Sequence, residues 1–381
     1  MTGSDLLVVA GEASGDQHGA RLLAALGRRL PGLRAFGLGS DQLAAAGLER
    51  VADSREISVV GLVEVLSILA RAREIFQRLL AEVERRRPRA AVLVDFPDFN
   101  LRLASELAWR GVPVVYYVSP QIWAWRRGRV RTIADCVERM LVLFEFEADF
   151  YREHGIDAVH VGHPLVDEVP ELPQAWQSEP AGRPVDRFRV ALLPGSRRSE
   201  LAALLPAMAG AVARLSERLP IEVRLVRAPS LDPALVERAA AAAGLRAEIV
   251  GEERLRAVAD SHLALCASGT ATLETGLLGT PMLVVYRLAP LTYRLARLLV
   301  RVPNFSLVNL VLERGVVPEL LQAEASPERI AEQAGRLLTD RAAIARMRAE
   351  LAELRGRLGA PGASERAAAE VVRVLDRGRG R

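Results

Sequence analysis

The sequence predicts an α/β protein made of two doubly wound domains that face each other across a cleft. Two observations carry that expectation. Short β-branched runs alternate with longer stretches of helical period in both halves of the chain, and one proline-rich break separates the halves. In the first half the strand-like runs are Leu6–Ala10, Ala35–Leu38, Ala91–Val94, Val112–Val118, Met140–Leu143 and Ala158–Val161, with helical stretches such as Asp16–Leu30 and Phe76–Arg87 between them. Several of these runs are apolar throughout, as expected of parallel strands covered on both faces. Residues 167–187 then read DEVPELPQAWQSEPAGRPVDR, with four prolines and little periodicity, and are expected to form a linker. After it the alternation restarts with Arg189–Leu193, Glu222–Val226, Glu248–Val250, Leu263–Ala267 and Met282–Tyr286, and from about Ser326 the pattern is almost all helix. The expected domains are 1–166 and 188–359.

Composition removes several chemistries. All 51 basic residues of the 381 are arginine. Without lysine there is no Walker A phosphate loop, no pyridoxal Schiff base and no kinase strand lysine. Arginine stays protonated and grips phosphate with a planar fork, so electrostatic roles stay open while amine nucleophiles do not. The bias toward Arg and Ala is also what a GC-rich genome produces. A net charge of +4 argues against a dedicated nucleic-acid binder. Two cysteines, Cys136 and Cys266, are too few for a four-thiolate zinc site and are expected to be buried and reduced. The chain enters an apolar strand after Met-Thr-Gly-Ser-Asp with no basic n-region, so no signal peptide is expected. No run approaches the ~18 apolar residues of a membrane span.

Open parallel sheets bind ligands beyond the carboxyl ends of their strands, so the chemistry is expected in the loops that follow strands. Glu12, Ser14 and Gly15, within Gly11–Asp16, follow the first strand; small residues there let main-chain N–H groups reach an anion or sugar, while Ser14 or Asp16 would equally suit helix capping. Asp95 is the first polar residue after a buried strand and suits a general base for a hydroxyl; Asp98 or Asn100, just beyond it, is expected to cap the next helix. Trp125 and Arg126, in Ser119–Arg127, interleave aromatic rings with cations, which fits apolar chains beside phosphates, stacked bases, or a simple core tryptophan pair. Gly195, Ser196 and Arg197 open a helix after the first strand of the second half and resemble a pyrophosphate cradle. Ser268, Gly269, Thr270, Ala271 and Thr272 do the same after another strand, with Glu274 one turn on, placed to accept two ribose hydroxyls or to complete a capping box. Two phosphate-type loops on one domain fit a nucleoside diphosphate. No D-x-D triplet and no H-x-x-x-H pair occur, so neither a metal nor another cofactor is expected. Ile57–Leu69 is nearly continuously apolar. Leu291–Val302 carries Arg294, Arg297 and Arg301 at helical spacing between leucines, which fits a basic amphipathic helix on an anionic bilayer or a core helix with snorkelling arginines.

The motifs GEASGD, DFPDFN, YYVSPQIWAWR, VGHPL, LLPGSRRSE and ASGTATLE occur in this order over nearly the whole chain, from Leu6 to about Leu321. Together they closely resemble the lipid-A-disaccharide synthase family, peripheral membrane glycosyltransferases with the GT-B fold of two Rossmann-like domains. The resemblance implies an inverting, metal-independent transfer from UDP-2,3-diacylglucosamine to 2,3-diacylglucosamine 1-phosphate on the cytoplasmic face of the inner membrane. It makes 1–166 the acceptor side and 188–359 the UDP-sugar side, and sends a final helix, about 360–381, back onto the first domain. Carried onto this chain, it makes Asp95 the base and Arg197 the diphosphate clamp. Ser268 to Thr272 and Glu274 would hold phosphate and ribose, Asn309 would lie near the nucleotide, and Glu12 and Ser14 would line the cleft. Where the family commonly reads Ser-Leu-Pro-Asn, this chain has Ser306-Leu307-Val308-Asn309. The other readings are a UDP-sugar epimerase of the same fold and a non-catalytic, membrane-associated nucleotide-sugar binding protein.

Overall fold

A computed structural model describes residues 5–57, 65–123, 128–171, 186–288 and 304–377. It divides into two compact units, Met1–Pro164 with Leu358–Arg381, and Leu165–Arg357. The first unit is a seven-stranded parallel sheet in the order β3-β2-β1-β4-β5-β6-β7. Its strands are β1 (Asp5–Ala10), β2 (Arg34–Gly39), β3 (Leu48–Asp53), β4 (Ala90–Val94), β5 (Val114–Tyr117), β6 (Arg139–Val142) and β7 (Ala158–His160). Helices α1 (Ala13–Arg29), α2 (Asp41–Ala45), α3 (Val65–Arg86), α4 (Pro97–Trp109), α5 (Arg129–Cys136) and α6 (Glu145–Glu153) connect them. Every residue of β4 is buried, because helices cover both sheet faces, and this explains the unbroken apolar run. Order reverses between β1 and β4: the chain leaves β1 toward β2 and leaves β4 toward β5. The loops after these two strands therefore diverge and leave a crevice at their carboxyl ends.

The second unit repeats the plan with six parallel strands in the order β10-β9-β8-β11-β12-β13. These are β8 (Phe188–Leu193), β9 (Ile221–Val226), β10 (Glu248–Val250), β11 (Leu263–Ala267), β12 (Met282–Tyr286) and β13 (Glu319–Leu321). Its helices are α7 (Leu165–Glu168), α8 (Arg198–Ser216), α9 (Pro233–Ala242), α10 (Arg254–Ala259), α11 (Thr270–Leu277), α12 (Leu307–Val311), α13 (Pro327–Thr339), α14 (Arg341–Leu351) and α15 (Leu354–Arg357). The switch here lies between β8 and β11.

Two strands had no counterpart among the strand-like runs. Edge strand β3 reads LERVAD, with three charged residues in six, and β13 is only three residues long. Of the proline-rich stretch 167–187, residues 172–185 lie outside the described residues, as does most of Ile57–Leu69. No helix among the described residues is long and apolar enough to cross a membrane.

The last helix, α16 (Ala363–Arg377), belongs to the first unit. Ala363, Ala367, Ala368, Val371, Val374 and Leu375 form its buried face. Glu365 pairs with Arg28 at 2.5 Å and Arg29 at 3.2 Å at the end of α1. Glu370, also buried, reaches Arg139 of β6 at 3.5 Å. The exposed pairs add little, so the apolar face supplies most of the attachment. Leu375→Ala is therefore expected to lower stability by about 3 kcal/mol, measurable by urea denaturation.

Candidate active site

In the first unit the loops after β1, β4 and β5 meet around a strained turn. Asp95 and Phe96, directly after β4, have φ of 49° and 50°, and Val118, directly after β5, has φ of 63°. Left-handed backbone at bulky residues costs of order 1–3 kcal/mol each and persists only where surroundings enforce it. The enforcing contacts converge on one carbonyl. The Asp95 C=O accepts from the Tyr116 hydroxyl at 2.6 Å and from Asn100 Nδ2 at 2.7 Å, while the Asp95 N–H donates to the Tyr117 carbonyl at 2.9 Å. Asn100 is fully buried, and its Nδ2 also reaches the Val94 carbonyl at 3.2 Å. The Asp95 side chain is left half-buried at the carboxyl end of the sheet.

The expectation that Asp98 or Asn100 caps α4 is corrected. Phe96 occupies the cap position without a side-chain bond, Asp98 pairs with Arg129, and Asn100 turns back to the strand end. Phe96 also explains a glycine. A Cβ on Gly11 would lie 2.2 Å from the Phe96 ring, so Gly11 is needed to admit that ring. Glu12 is the cap residue of α1 and Ser14 lies inside its first turn; both are exposed, and Gly15 is buried. Asp16 does not cap its own helix. Its carboxylate accepts the Ser40 and Gln42 N–H groups at 2.6 and 3.0 Å and so caps α2. Trp125 and Arg126 lie outside the described residues.

Beside this turn, burial lowers the pKa of His18 to about 4 and of His163 to about 3, so both rings are neutral at physiological pH. Glu147, at the start of α6, is 3% exposed. Its Oε1 accepts from Ser119 Oγ at 2.8 Å and Trp123 Nε1 at 3.2 Å. Burial pushes its pKa up to about 7, with those hydrogen bonds opposing the shift. Cys136 and Cys266 are buried with pKa values raised by desolvation, the latter to about 12, and neither suits a nucleophile.

In the second unit the loops after β8, β11 and β12 come together. Gly195 has φ of 113°, and the Glu200 carboxylate folds back over it to accept the Ser196 and Arg197 N–H groups at 2.9 and 3.3 Å. The expected main-chain cradle is thus already occupied by a side-chain carboxylate. What faces outward is the Ser196 side chain and the Arg197 guanidinium, 70% exposed and 3.7 Å from Glu200 Oε1. Burial raises the pKa of Tyr286, the last residue of β12, with nearby Glu200 adding to the rise and Arg197 opposing it. Tyr286 stacks on Phe305 with ring centres 6.1 Å apart, and Ser268 Oγ donates to the Phe305 carbonyl at 3.1 Å.

Gly269, with φ of 145°, starts α11, followed by exposed Thr270 and half-buried Ala271. The buried Thr272 bonds through its hydroxyl to the Gly269 carbonyl at 2.8 Å, so it shapes the loop. Glu274 is 8% exposed and ion-paired with Arg254 at the start of α10. Asn309 is 1% exposed with both side-chain atoms engaged. Its Oδ1 accepts from the Val316 and Val317 N–H groups, and Nδ2 donates to the Val317 carbonyl and to Glu319 at 2.7 Å. The structure therefore gives Asn309 an internal bracing role. Glu319 in turn accepts the Phe305 and Ser306 N–H groups at 3.1 and 3.0 Å. Arg254, Glu319 and Glu147 carry no motif signal, because the side chains they pair with lie 20, 10 and 28 residues away in sequence. Arg294, Arg297 and Arg301 lie outside the described residues.

Residues 6–371 match the family model described as lipid-A-disaccharide synthetase. The chain is 49% identical over 376 residues to the lipid-A-disaccharide synthase of Myxococcus xanthus (strain DK1622), covering 98% of each chain. It is 42% identical over 384 residues to that of Syntrophus aciditrophicus (strain SB), covering 98% of this chain and 99% of the relative. Among solved structures it is similar to the calicheamicin glycosyltransferase CalG4, with a TM-score of 0.59, 18% identity and 99% of each chain covered. It is also similar to UDP-GlcNAc 2-epimerase from Neisseria meningitidis, with a TM-score of 0.62 and 12% identity over 98% of this chain and 100% of that one. At these identities the two structures speak to the fold alone.

Glu147 yields a pH-dependent expectation. Its folded pKa is above the ordinary 4.5, so its contribution to stability is fully present below pH 4.5 and is lost as pH rises through about 7. Glu147→Gln cannot ionise. Its stability relative to wild type is expected to improve by about 2 kcal/mol between pH 5 and pH 8, read from denaturation midpoints at the two pH values.

Proposed function

The chain belongs to the lipid-A-disaccharide synthase family, glycosyltransferases of lipid A biosynthesis with the GT-B fold, and from that premise we propose an inverting, metal-independent transfer. The donor is UDP-2,3-diacylglucosamine and the acceptor 2,3-diacylglucosamine 1-phosphate. The products are the β(1→6)-linked disaccharide 1-phosphate and UDP. The observation that carries this reading is the strained turn that holds the half-buried Asp95 at the switch point of the first sheet.

In this mechanism the Asp95 carboxylate takes the proton of the acceptor hydroxyl as its oxygen attacks the anomeric carbon. The bond from that carbon to the diphosphate breaks on the opposite face, and UDP leaves with the electron pair. Arg197, with its exposed guanidinium, offsets the charge that grows on the diphosphate. Ser196 and the loop Ser268–Ala271 add hydrogen bonds to phosphate, and Glu274 accepts ribose hydroxyls. Glu12 and Ser14 serve the acceptor side together with Trp125 and Arg126. The absence of a D-x-D triplet supports a reaction in which arginine takes the place of a metal.

We assign the enzyme to the cytoplasmic face of the inner membrane, with Arg294, Arg297 and Arg301 facing lipid phosphates. Leu69, 59% exposed where the apolar stretch Ile57–Leu69 enters α3, supports an apolar contact on the first unit. No nucleic acid takes part.

The assay is UDP release from the two acylated substrates in detergent. Turnover of UDP-GlcNAc to an epimer would instead favour an epimerase, and UDP binding without any turnover a non-catalytic binding protein. Asp95→Ala is expected to lower turnover by about 10³-fold while leaving UDP affinity intact; near-normal turnover would remove Asp95 as the base. Glu274→Ala is expected to weaken UDP binding about tenfold or more in calorimetry with UDP alone.

A further inference from the structure

Glu319 opens β13, the edge strand of the second sheet, where a charged side chain turned to solvent is ordinary. Here the carboxylate is half-buried and turned back onto the chain. Its Oε2 accepts the Phe305 N–H at 3.1 Å, and Oε1 accepts the Ser306 N–H at 3.0 Å and Asn309 Nδ2 at 2.7 Å. A carboxylate offers two oxygens to these three donors, where a neutral amide offers one. Ser306 and Asn309 are buried, so a donor that loses Glu319 loses its partner away from water.

The segment held in this way meets one phosphate-type loop directly and approaches the other through a ring. The Phe305 carbonyl accepts Ser268 Oγ at 3.1 Å, where the loop after β11 turns into α11. The Phe305 ring stacks on Tyr286, which lies close enough to Arg197 and Glu200, in the loop after β8, to feel both charges. Val308 of α12 packs on α11 as well, since a Cβ on Gly276 would lie 3.4 Å from its side chain. Segment Phe305–Val308 therefore splints α11 from its opening loop to its last turn. Two phosphates bound at once need their loops held in a fixed shape before the ligand arrives. We propose that Glu319 is a positioning residue for the nucleoside diphosphate: by holding Phe305, Ser306 and Asn309 it fixes the loop Ser268–Thr272 that opens α11. Glu319 acts through Phe305 and not on the ligand. This rests on the UDP site proposed for the second unit.

The test uses the full chain and UDP alone in calorimetry, with a melting curve of each variant as the check on folding. Glu319→Ala removes both acceptor oxygens and is expected to weaken UDP binding about tenfold. Glu319→Gln keeps one oxygen and is expected to fall between, about threefold weaker than wild type. In turnover with both acylated substrates in detergent, Glu319→Ala is expected to raise the donor KM about tenfold and leave the acceptor KM within about twofold. A general loss of stability would not split the two. Hydrogen exchange gives a readout independent of activity: without ligand, the amides of Phe305, Ser306 and the loop Ser268–Thr272 exchange faster in Glu319→Ala than in wild type. Wild-type UDP affinity in folded Glu319→Ala overturns the inference, as does unchanged exchange in Ser268–Thr272 or an equal rise in both KM values. Should Glu319→Ala fail to fold, Glu319→Gln decides it by the same affinity and exchange measurements. If wild type itself does not bind UDP, the proposed donor site fails and the inference falls with it, whereas wild-type binding beside an indifferent Glu319→Ala sinks the inference alone.

Discussion

One carbonyl organises the first unit. Asp95 and Phe96 sit in left-handed backbone that neither side chain favours, and two buried donors, the Tyr116 hydroxyl and the Asn100 amide, close on the Asp95 C=O to hold them there. Everything near the proposed base follows from that constraint. The turn throws the Phe96 ring against Gly11, stacks it on Phe99 at 5.4 Å, and leaves the Asp95 side chain at the carboxyl end of the sheet. The strain is affordable because both donors come from elements buried in the core: Tyr116 is fully enclosed in β5 and Asn100 in α4. Pre-set geometry of this kind spares a base the cost of reorganising when substrate arrives.

Carboxylates do the corresponding work in the second unit. Glu200 fastens the loop after β8, Thr272 and Ser268 shape the loop after β11, and Glu319 with Asn309 braces the segment at Phe305 and Ser306. Glu200, Glu319 and Asn309 accept main-chain N–H groups, and Thr272 and Ser268 donate to main-chain carbonyls, that an irregular loop would otherwise leave bare. The consequence for chemistry is a division of labour. Residues that fix loop shape are buried or turned inward, while Ser196, Arg197 and Thr270 stay exposed. Glu274 is intermediate in character, nearly buried yet held by the partly exposed Arg254.

Much of this was legible in the residues. Strands β4, β11 and β12 announce themselves because both their faces are covered, so that their sequences are apolar throughout. Edge strand β3 is silent because one side of it meets solvent and accepts charge. The loops expected to carry chemistry do follow strands, yet capping was misassigned in the first unit. Asp16, Asp98 and Asn100 all have the side chains of helix caps, but each has a partner from a different element. Local sequence states that a side chain can cap; only packing decides which N–H or carbonyl is in reach.

The residues alone settle what chemistry is open to the chain. Fifty-one arginines and no lysine exclude amine catalysis, and periodicity with motif order points to two parallel-sheet domains and a nucleotide-sugar transfer. These properties are additive along the chain and survive without knowledge of neighbours. Tertiary structure alone decided the rest: that Asp95 stands in a strained turn, that Asn309 braces, and that Glu147 holds Ser119 and Trp123. Each of these is a hydrogen bond or a dihedral whose energy exists only when residues of different loops and helices meet, and no spacing within one segment encodes it.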